Sequence, residues 1–457
     1  TWTYADLDQW VSELAAAALG EGARPGEPVA LLAANSAAYV AAVWAAARLG
    51  TPLAPLNWRL SGGELAWQVE RLHASLLLHD AHFAANAEDV AARSGARLLQ
   101  IEGAKAGPLP AVWPGSWTGD FVLMFTSGTT GRPKAARLMF ENFLASAMAS
   151  AFNIGVDPAD RWLACLPLCH VGGLSIATRS LIQGTTAVIH ETFDPARVNY
   201  ALREERITLL SVVPTMLARM LEVDAAAYPP SVRAVLVGGG PVARDLLERA
   251  TARGLPVLQT YGLTEATSQV TTLAPSDALR HLGSAGKPLF TFQLRVDAPP
   301  GAAGEILVAG PNVFAGYFED PEATERALRD GWLRTGDIGR LDDEGFLYVL
   351  DRRDDLIVSG GENVYPAEVE AALEAHPAVR EAAVVGLRDA TWGQTVAAAI
   401  VFEPGHALEW SRLEGWLRER LAAYKLPRRW LAVEALPRTT SGKLQRHRVR
   451  DWFEGAS

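Results

Sequence analysis

Thr126-Ser127-Gly128-Thr129-Thr130-Gly131-Arg132-Pro133-Lys134 is the stretch whose residue types most directly imply chemistry. Gly128 and Gly131 let the backbone come close to an anion, the hydroxyls of the loop add donors, and Lys134 adds a mobile positive charge. Successive backbone N–H groups in such a loop cradle phosphate. The stretch is not a Walker A loop, because its glycine spacing differs and Lys134 is followed by Ala135 rather than Ser or Thr. A Gly/Thr-rich surface turn is the alternative reading of the same composition. Cys165 and Cys169, the only cysteines, offer no disulfide framework, and with the neighbouring His170 they fall short of a zinc site.

A phosphate loop needs a scaffold that delivers it to the end of a strand. Val29–Ala33, Leu76–Leu78, Leu98–Ile101 and Phe121–Phe125 have the apolar runs of buried strands, the last feeding directly into Thr126. Ala37–Arg48 has the pattern of a helix with small residues all round, and Ser61 to Glu64 has the spacing of a capping box that opens another. Strand–helix alternation over the first three hundred and fifty residues or so predicts an α/β fold with largely parallel sheet, its working loops at the carboxyl ends of strands. Beyond Asp351 the pattern changes. A charged cluster, Arg352 to Asp355, separates the strand candidates Phe346–Leu350 and Leu356–Val358. A helix over Pro366–Glu374, strands over Ala382–Gly386 and Val396–Phe402, a helix over Leu408–Ala423 and a strand near Trp430–Val433 follow. The expected division is a large N-terminal domain of layered sheets and helices over 1–353, and a small α+β C-terminal domain over 354–457.

Composition bounds what this scaffold serves. The chain has 457 residues, 49% hydrophobic and 21% charged, with a net charge of -10. That is the composition of a globular enzyme, and its acidity disfavours nucleic acid or an anionic membrane as partner. The Ala-rich stretch from Ala37 to Ala47 is too short to span a bilayer, and no signal-peptide pattern opens the chain. The cysteine count fits a reducing cytoplasm, and the composition is compatible with a homo-oligomer. The chain begins at Thr1 rather than Met, as expected of a sequence that lacks a few native residues.

The string TSGTTGRPK resembles the signature loop of the adenylate-forming superfamily, which includes acyl-CoA synthetases, luciferases and peptide-synthetase adenylation domains. Four further stretches resemble that superfamily's motifs in its order. They are Tyr261-Gly262-Leu263-Thr264-Glu265, Gly331-Trp332-Leu333-Arg334-Thr335-Gly336-Asp337, Asp351 to Asp355 with Ser359-Gly360-Gly361-Glu362-Asn363, and Pro437-Arg438-Thr439-Thr440-Ser441-Gly442-Lys443. The resemblance implies ATP, Mg²⁺ and CoA, and a C-terminal domain that is mobile about a hinge at Asp354. It implies that Lys443 bridges the attacking carboxylate and the α-phosphate, that Thr264 donates to that phosphate, and that Glu265 and Thr126 bind the metal. Tyr261 and Gly262 with Gly238, Gly239 and Gly240 would receive adenine, Asp337 the ribose, and Arg352 the ribose or phosphate side. Ser359, Gly360 and Gly361 would face the pantetheine of CoA. Chemically, a carboxylate attacking an anionic triphosphate needs its repulsion offset, which explains cations and a hard oxygen-bound metal at such a site.

His170 lies in LPLCHVGGLS, where relatives border the acyl pocket with an aromatic residue or His. LPLCHVGGLSIATRSLIQG, followed by HETFDP, together with QTYGLTEATSQVTTL and LGSAGKPLF, resembles the o-succinylbenzoate–CoA ligase family of menaquinone synthesis. That acid carries a second carboxylate, for which Arg179 is the implied partner, with Ser175, Thr267, Ser268 and Gln269 adding polar contacts. Arg179 as a surface helix residue is the alternative. A ligase for another aryl or fatty acid, an enzyme loading a carrier protein, and a non-catalytic ATP-binding scaffold are the competing functions. Retention of Lys443, Glu265 and Asp337 disfavours the scaffold.

Overall fold

The structure, a computed structural model, describes residues 1–104, 119–126, 133–240, 242–351, 356–405, 409–437 and 444–454. Two compact units emerge: one comprises Thr1–Trp58, Ala66–Phe125 and Ala135–Leu350, the other Arg59–Leu65, Thr126–Lys134 and Asp351–Ser457. The boundary expected at 353/354 lies outside the described residues.

The first unit is built on two sheets of mostly parallel strands. One has the order Arg97–Gln100, Leu76–His79, Val29–Leu32, Leu53–Pro55, Asp120–Thr126, Lys134–Met139. The other runs Lys287–Pro288, Ser268–Leu273, Val257–Leu263, Ala234–Val237, Leu209–Val212, Arg161–Ala164, Thr186–Ile189. The helix Ala37–Leu49 has apolar residues on every side, and its residues from Ala38 to Ala46 are all buried. A helix without a polar face can only be stable inside a core. Ser36 caps it, its hydroxyl accepting from Tyr39 N at 3.0 Å. The capping box at Ser61 and Glu64 also forms, opening the helix Gly62–Arg71.

The expectation of largely parallel alternation fails over the last part of this unit. Gln293–Asp297, Gly304–Ala309, Trp332–Leu341 and Leu328–Arg329 form an antiparallel sheet, which Leu347–Asp351 joins through Trp332–Leu341. The physical reason lies in the side chains: Gln293–Asp297 alternates exposed and half-buried residues, as a sheet with one wet face does. Only one short helix, Pro321–Ala327, interrupts these strands.

At the amino ends of the central parallel strands, Asp160 is 2% exposed and collects Thr208 Oγ1 at 2.7 Å, Arg233 Nε at 2.7 Å and Asp157 N at 2.9 Å. Hence one carboxylate ties together the starts of three neighbouring strands. Burial pushes its pKa up, but the Arg233, Asp157 and Thr208 hydrogen bonds outweigh burial and hold it below the usual carboxylate value. A depressed folded-state pKa contributes stability that is present above the unfolded pKa and lost as pH falls through the folded one. Asp160→Ala therefore costs about 3 kcal/mol at neutral pH. Urea denaturation should show that loss, with the gap to the parent closing in acid.

In the second unit, Val379–Asp389 and Gly393–Phe402 form a long antiparallel pair, joined in parallel by Arg429–Ala432. Its side chains alternate strictly. Ala382, Val384, Val396, Ala398 and Ile400 pack with Val369, Leu373, Leu413 and Leu417, whereas Ala383, Val385, Ala397 and Ala399 pack with Val449 and Phe453. Period-two alternation with both faces apolar produces a sheet covered on two sides. The helix expected over Leu408–Ala423 is shorter, Trp410–Arg418, because the chain then turns to bury Leu421 and Leu426 and to bring Lys425 within 2.8 Å of Glu368. The helix Arg446–Glu454 was not expected from the sequence. Its nine residues are mostly charged, and only Val449 and Phe453, one turn apart, are buried. Among the described residues no helix is long and apolar enough to cross a membrane.

Candidate active site

The parallel strands of the seven-stranded sheet deliver the sequence-predicted residues to one edge. His170 follows Arg161–Ala164, the turn Gly238–Gly240 follows Ala234–Val237, and Tyr261 to Glu265 close the strand Val257–Leu263. All three lie at or beyond the carboxyl ends of strands, the place where open α/β sheets bind ligands.

The Tyr261–Gln269 segment is locally unusual. The pairing of Val257–Leu263 with Ser268–Leu273 slips between Tyr261 and Gly262, a bulge that re-aims the chain. Thr264–Ala266 then makes a single 3-10 turn, closed by Thr267 N donating to Thr264 O at 2.9 Å. Thr267 and Ser268 both take positive φ, 49° and 82°, which is costly for residues with side chains. The turn is held from outside. Ser146 Oγ donates to Thr267 O at 2.9 Å, Asn312 Nδ2 to Ala266 O at 2.9 Å, and Phe314 N to Glu265 O at 2.9 Å. Tyr317 OH donates to Glu265 Oε1 at 2.9 Å. Tyr261 is buried, and its hydroxyl donates to Asp337 Oδ2 at 2.7 Å, so the second and third motifs meet directly.

His170 caps the helix Val171–Gln183, which carries Ser175 and Arg179 one turn apart on a common face. The surface alternative for Arg179 is excluded, because it is 3% exposed. Its Nη2 donates to Ser146 Oγ at 3.0 Å, and its guanidinium lies over the Trp162 ring at 5.7 Å. Burial alone lowers its pKa to about 10. No acidic residue among the described residues pairs with it, and its Nε has no hydrogen-bond partner there. Ser175 Oγ and Gln269 Oε1 are also buried without a partner among the described residues. Thr267 is fully buried, its hydroxyl donating to Asn312 O at 2.8 Å. Ser268 is half-buried beside it.

Thr126 ends the strand Asp120–Thr126 and Lys134 opens Lys134–Met139, with Thr126 Oγ1 donating to Lys134 O at 3.5 Å. Ser127, Gly128, Thr129, Thr130 and Gly131, like Arg352, Asp354 and Lys443, lie outside the described residues. Glu265 and Thr126 offer a carboxylate and a hydroxyl, the hard oxygen donors that suit Mg²⁺ bound to phosphates. Among the described residues no group of three or more His, Cys, Asp or Glu could hold a metal ion by itself.

In the second unit, Ser359, Gly360 and Gly361 form the tight end of the hairpin Ile357–Ser359/Glu362–Val364. Gly360 and Gly361 have φ of 61° and 88°, so both central turn positions require the left-handed region. Gly360 N donates to Trp392 O at 2.8 Å, and the Arg428 guanidinium lies 4.6 Å from the centre of the Trp392 ring. Ser146, Asn312, Tyr317 and Trp392 are residues that the sequence reading missed. Their partners are remote along the chain, so no local spacing points to them.

Comparison with known proteins gives this arrangement a family. Residues 1–318 match the AMP-binding enzyme family and residues 368–443 the AMP-binding enzyme C-terminal domain. The 2-succinylbenzoate–CoA ligase of Geobacillus sp. (strain WCH70) is 42% identical over 98% of this chain and 92% of its own length. Among solved structures, o-succinylbenzoate CoA synthetase (MenE) from Bacillus subtilis, a double mutant bound with the product analogue OSB-NCoA, is 40% identical with a TM-score of 0.93. That match covers 98% of this chain and 93% of the other. The same enzyme in complex with the acyl-adenylate intermediate OSB-AMP gives a TM-score of 0.74 at 40% identity, over 98% and 93%. In complex with ATP and magnesium ion it gives 0.74 at 40% identity, over 98% and 94%. Matching family domains over most of the chain, and relatives of this identity along its whole length, have one meaning: the chain belongs to the AMP-binding enzyme family.

Proposed function

We propose that the chain is an AMP-forming acid–CoA ligase that converts 2-succinylbenzoate, ATP and CoA to 2-succinylbenzoyl-CoA, AMP and pyrophosphate. A carboxylate oxygen of the acid attacks the α-phosphorus of ATP, the bond to the bridging oxygen breaks, and pyrophosphate leaves. The thiol sulfur of CoA then attacks the acyl carbon of the mixed anhydride, loses its proton, and AMP leaves. Relatives solved with ATP and magnesium, with OSB-AMP and with an OSB-CoA analogue support this sequence of ligands.

In this reading Lys443 offsets the charge between carboxylate and α-phosphate, and Thr264 donates to the same phosphate. Tyr261 orients Asp337 through their 2.7 Å hydrogen bond, leaving that carboxylate's other acceptor positions for ribose hydroxyls. Glu265 and Thr126 hold Mg²⁺, which neutralises phosphate charge when bound. Ser127 to Lys134 receives the pyrophosphate end, Gly238 to Gly240 the purine, and Arg352 the ribose or phosphate side. His170 borders the acid, and Ser359, Gly360 and Gly361 face pantetheine. A hinge at Asp354, between domains 1–353 and 354–457, resolves a conflict, since Lys443 and the CoA thiol need the same space. Cys165 and Cys169, both buried and neither in a disulfide, support a cytoplasmic setting.

The observation that carries the substrate assignment is Arg179. A buried guanidinium with no acidic partner among the described residues is costly unless a ligand brings the anion. The ring carboxylate of 2-succinylbenzoate is such an anion, and Ser175 and Gln269 supply adjoining polar capacity.

The test is ATP- and CoA-dependent AMP release with 2-succinylbenzoate, 4-oxo-4-phenylbutanoate (the same skeleton without the ring carboxylate), benzoate, 4-coumarate and octanoate. The expected result is strong preference for 2-succinylbenzoate, with Arg179→Ala losing about 100-fold in kcat/KM for it. Loss for 4-oxo-4-phenylbutanoate should be much smaller. Equal losses for both acids would remove Arg179 from carboxylate recognition, and preference for a monocarboxylate would overturn the substrate assignment.

A further inference from the structure

The carboxylate of Glu265 is not left to find its own rotamer. Tyr317 OH donates to its Oε1 at 2.9 Å, and Phe314 N donates to its backbone oxygen at 2.9 Å. Both come from one short segment. That segment is fastened on its other side to the strand Lys134–Met139, which leaves the Gly/Thr loop: Arg137 N donates to Gly316 O, Ala315 N to Arg137 O and Phe318 N to Ala135 O, at 2.9, 2.9 and 2.8 Å. The Tyr317 ring is set edge-on to Phe314, itself buried, at 4.9 Å between centroids. Its backbone N accepts no freedom either, donating to Thr324 Oγ1 at 2.9 Å. Tyr317 is thus a phenol held at both ends, one on the scaffold and one on the acid.

An ionised carboxylate has about four acceptor positions on its two oxygens. A donor that occupies one of them selects the orientation in which the others face outward. It also holds the group in that orientation before the metal arrives. We propose that Tyr317 is a positioning residue for Glu265, presenting its carboxylate to the magnesium ion of the nucleotide complex. The segment 314–318 acts as a splint that joins the Glu265 turn to the strand carrying the phosphate loop. This rests on Glu265 being a metal ligand, and the test separates the two ideas.

Affinity for the non-hydrolysable nucleotide α,β-methylene-ATP is measured by calorimetry, once with Mg²⁺ and once with EDTA. In the parent protein Mg²⁺ strengthens binding. Tyr317→Phe, which removes only the hydroxyl, should weaken the Mg²⁺ complex about 10-fold, the lower end of the range for outer-shell partners. Binding in EDTA should not change. A merely structural role would weaken both or neither, and either result overturns the proposal. Glu265→Gln should abolish the Mg²⁺-dependent gain. If Glu265→Gln keeps that gain, the metal assignment of Glu265 fails and the role of Tyr317 fails with it. If Glu265→Gln loses the gain while Tyr317→Phe matches the parent, only the role of Tyr317 fails.

Discussion

Lys443→Ala is expected to slow acyl-adenylate formation by about 100- to 1,000-fold, the effect of losing one preorganised charge from an acyl- or phosphoryl-transfer site. Thioester formation from chemically synthesised acyl-adenylate should stay within a few-fold of the parent. The asymmetry follows from where charge develops. In the first step an anionic oxygen approaches an anionic triphosphate, so a cation between them is strongest when both are close. In the second step a thiol attacks a neutral acyl carbon and AMP departs, with no like charges to separate. Acid-dependent pyrophosphate–ATP exchange reads the first step alone, and CoA consumption with supplied adenylate reads the second. Equal loss in both assays would assign Lys443 a general structural role instead.

Gly262→Ala should be nearly as damaging, for a steric reason. A Cβ at Gly262 would lie 1.6 Å from Ser268 O and 2.5 Å from Ser268 C, both backbone atoms that no rotamer change can move. The bulge at Tyr261/Gly262 brings the two strands together at this point, and Thr267 and Ser268 are already in the left-handed region. The strand pair must open, and the turn carrying Thr264 and Glu265 moves with it. The expected cost is about 4 kcal/mol of stability, from the class of severe backbone strain. Adenylation should fall by about 100-fold, since even a 1 Å displacement of reacting groups has that effect. Gly415→Ala makes the contrast. It lies within the helix Trp410–Arg418 with nothing within 4 Å of the added Cβ, and it should stabilise by about 0.5–1 kcal/mol. Equilibrium denaturation of both variants, with exchange assays on the soluble protein, checks the pair. A fully active and stable Gly262→Ala would contradict the bulge geometry.

Much of the scaffold was legible because short-range physics dictates it. The apolar run at Val29–Leu32, the glycine-ended small-residue helix Ala37–Leu49 and the period-two alternation of Ala382–Val385 each admit one stable environment. The antiparallel sheet from Gln293 to Leu341 was missed, since half-exposed strands carry little hydrophobic signal and their pairing is set by partners up to tens of residues away. The charged helix Arg446–Glu454 was missed for a related reason: two buried residues, Val449 and Phe453, make too narrow a stripe to read.

By itself the sequence determined the chemistry on offer: glycines and hydroxyls before Lys134, the Thr264–Glu265 pair, Asp337, and a lysine at 443. Those are properties of residue type and local spacing, which survive without a fold. It could not say whether Arg179 was a surface charge or a buried one, because burial is a property of everything packed around a residue. Only the tertiary structure decided that. It placed Arg179 against Ser146 and Trp162, joined Tyr261 to Asp337 across 76 positions, and brought Tyr317 to Glu265 across 52. Hydrogen bonds act over about 3 Å whatever the separation along the chain, so such pairings exist only once the strands that carry them are in place.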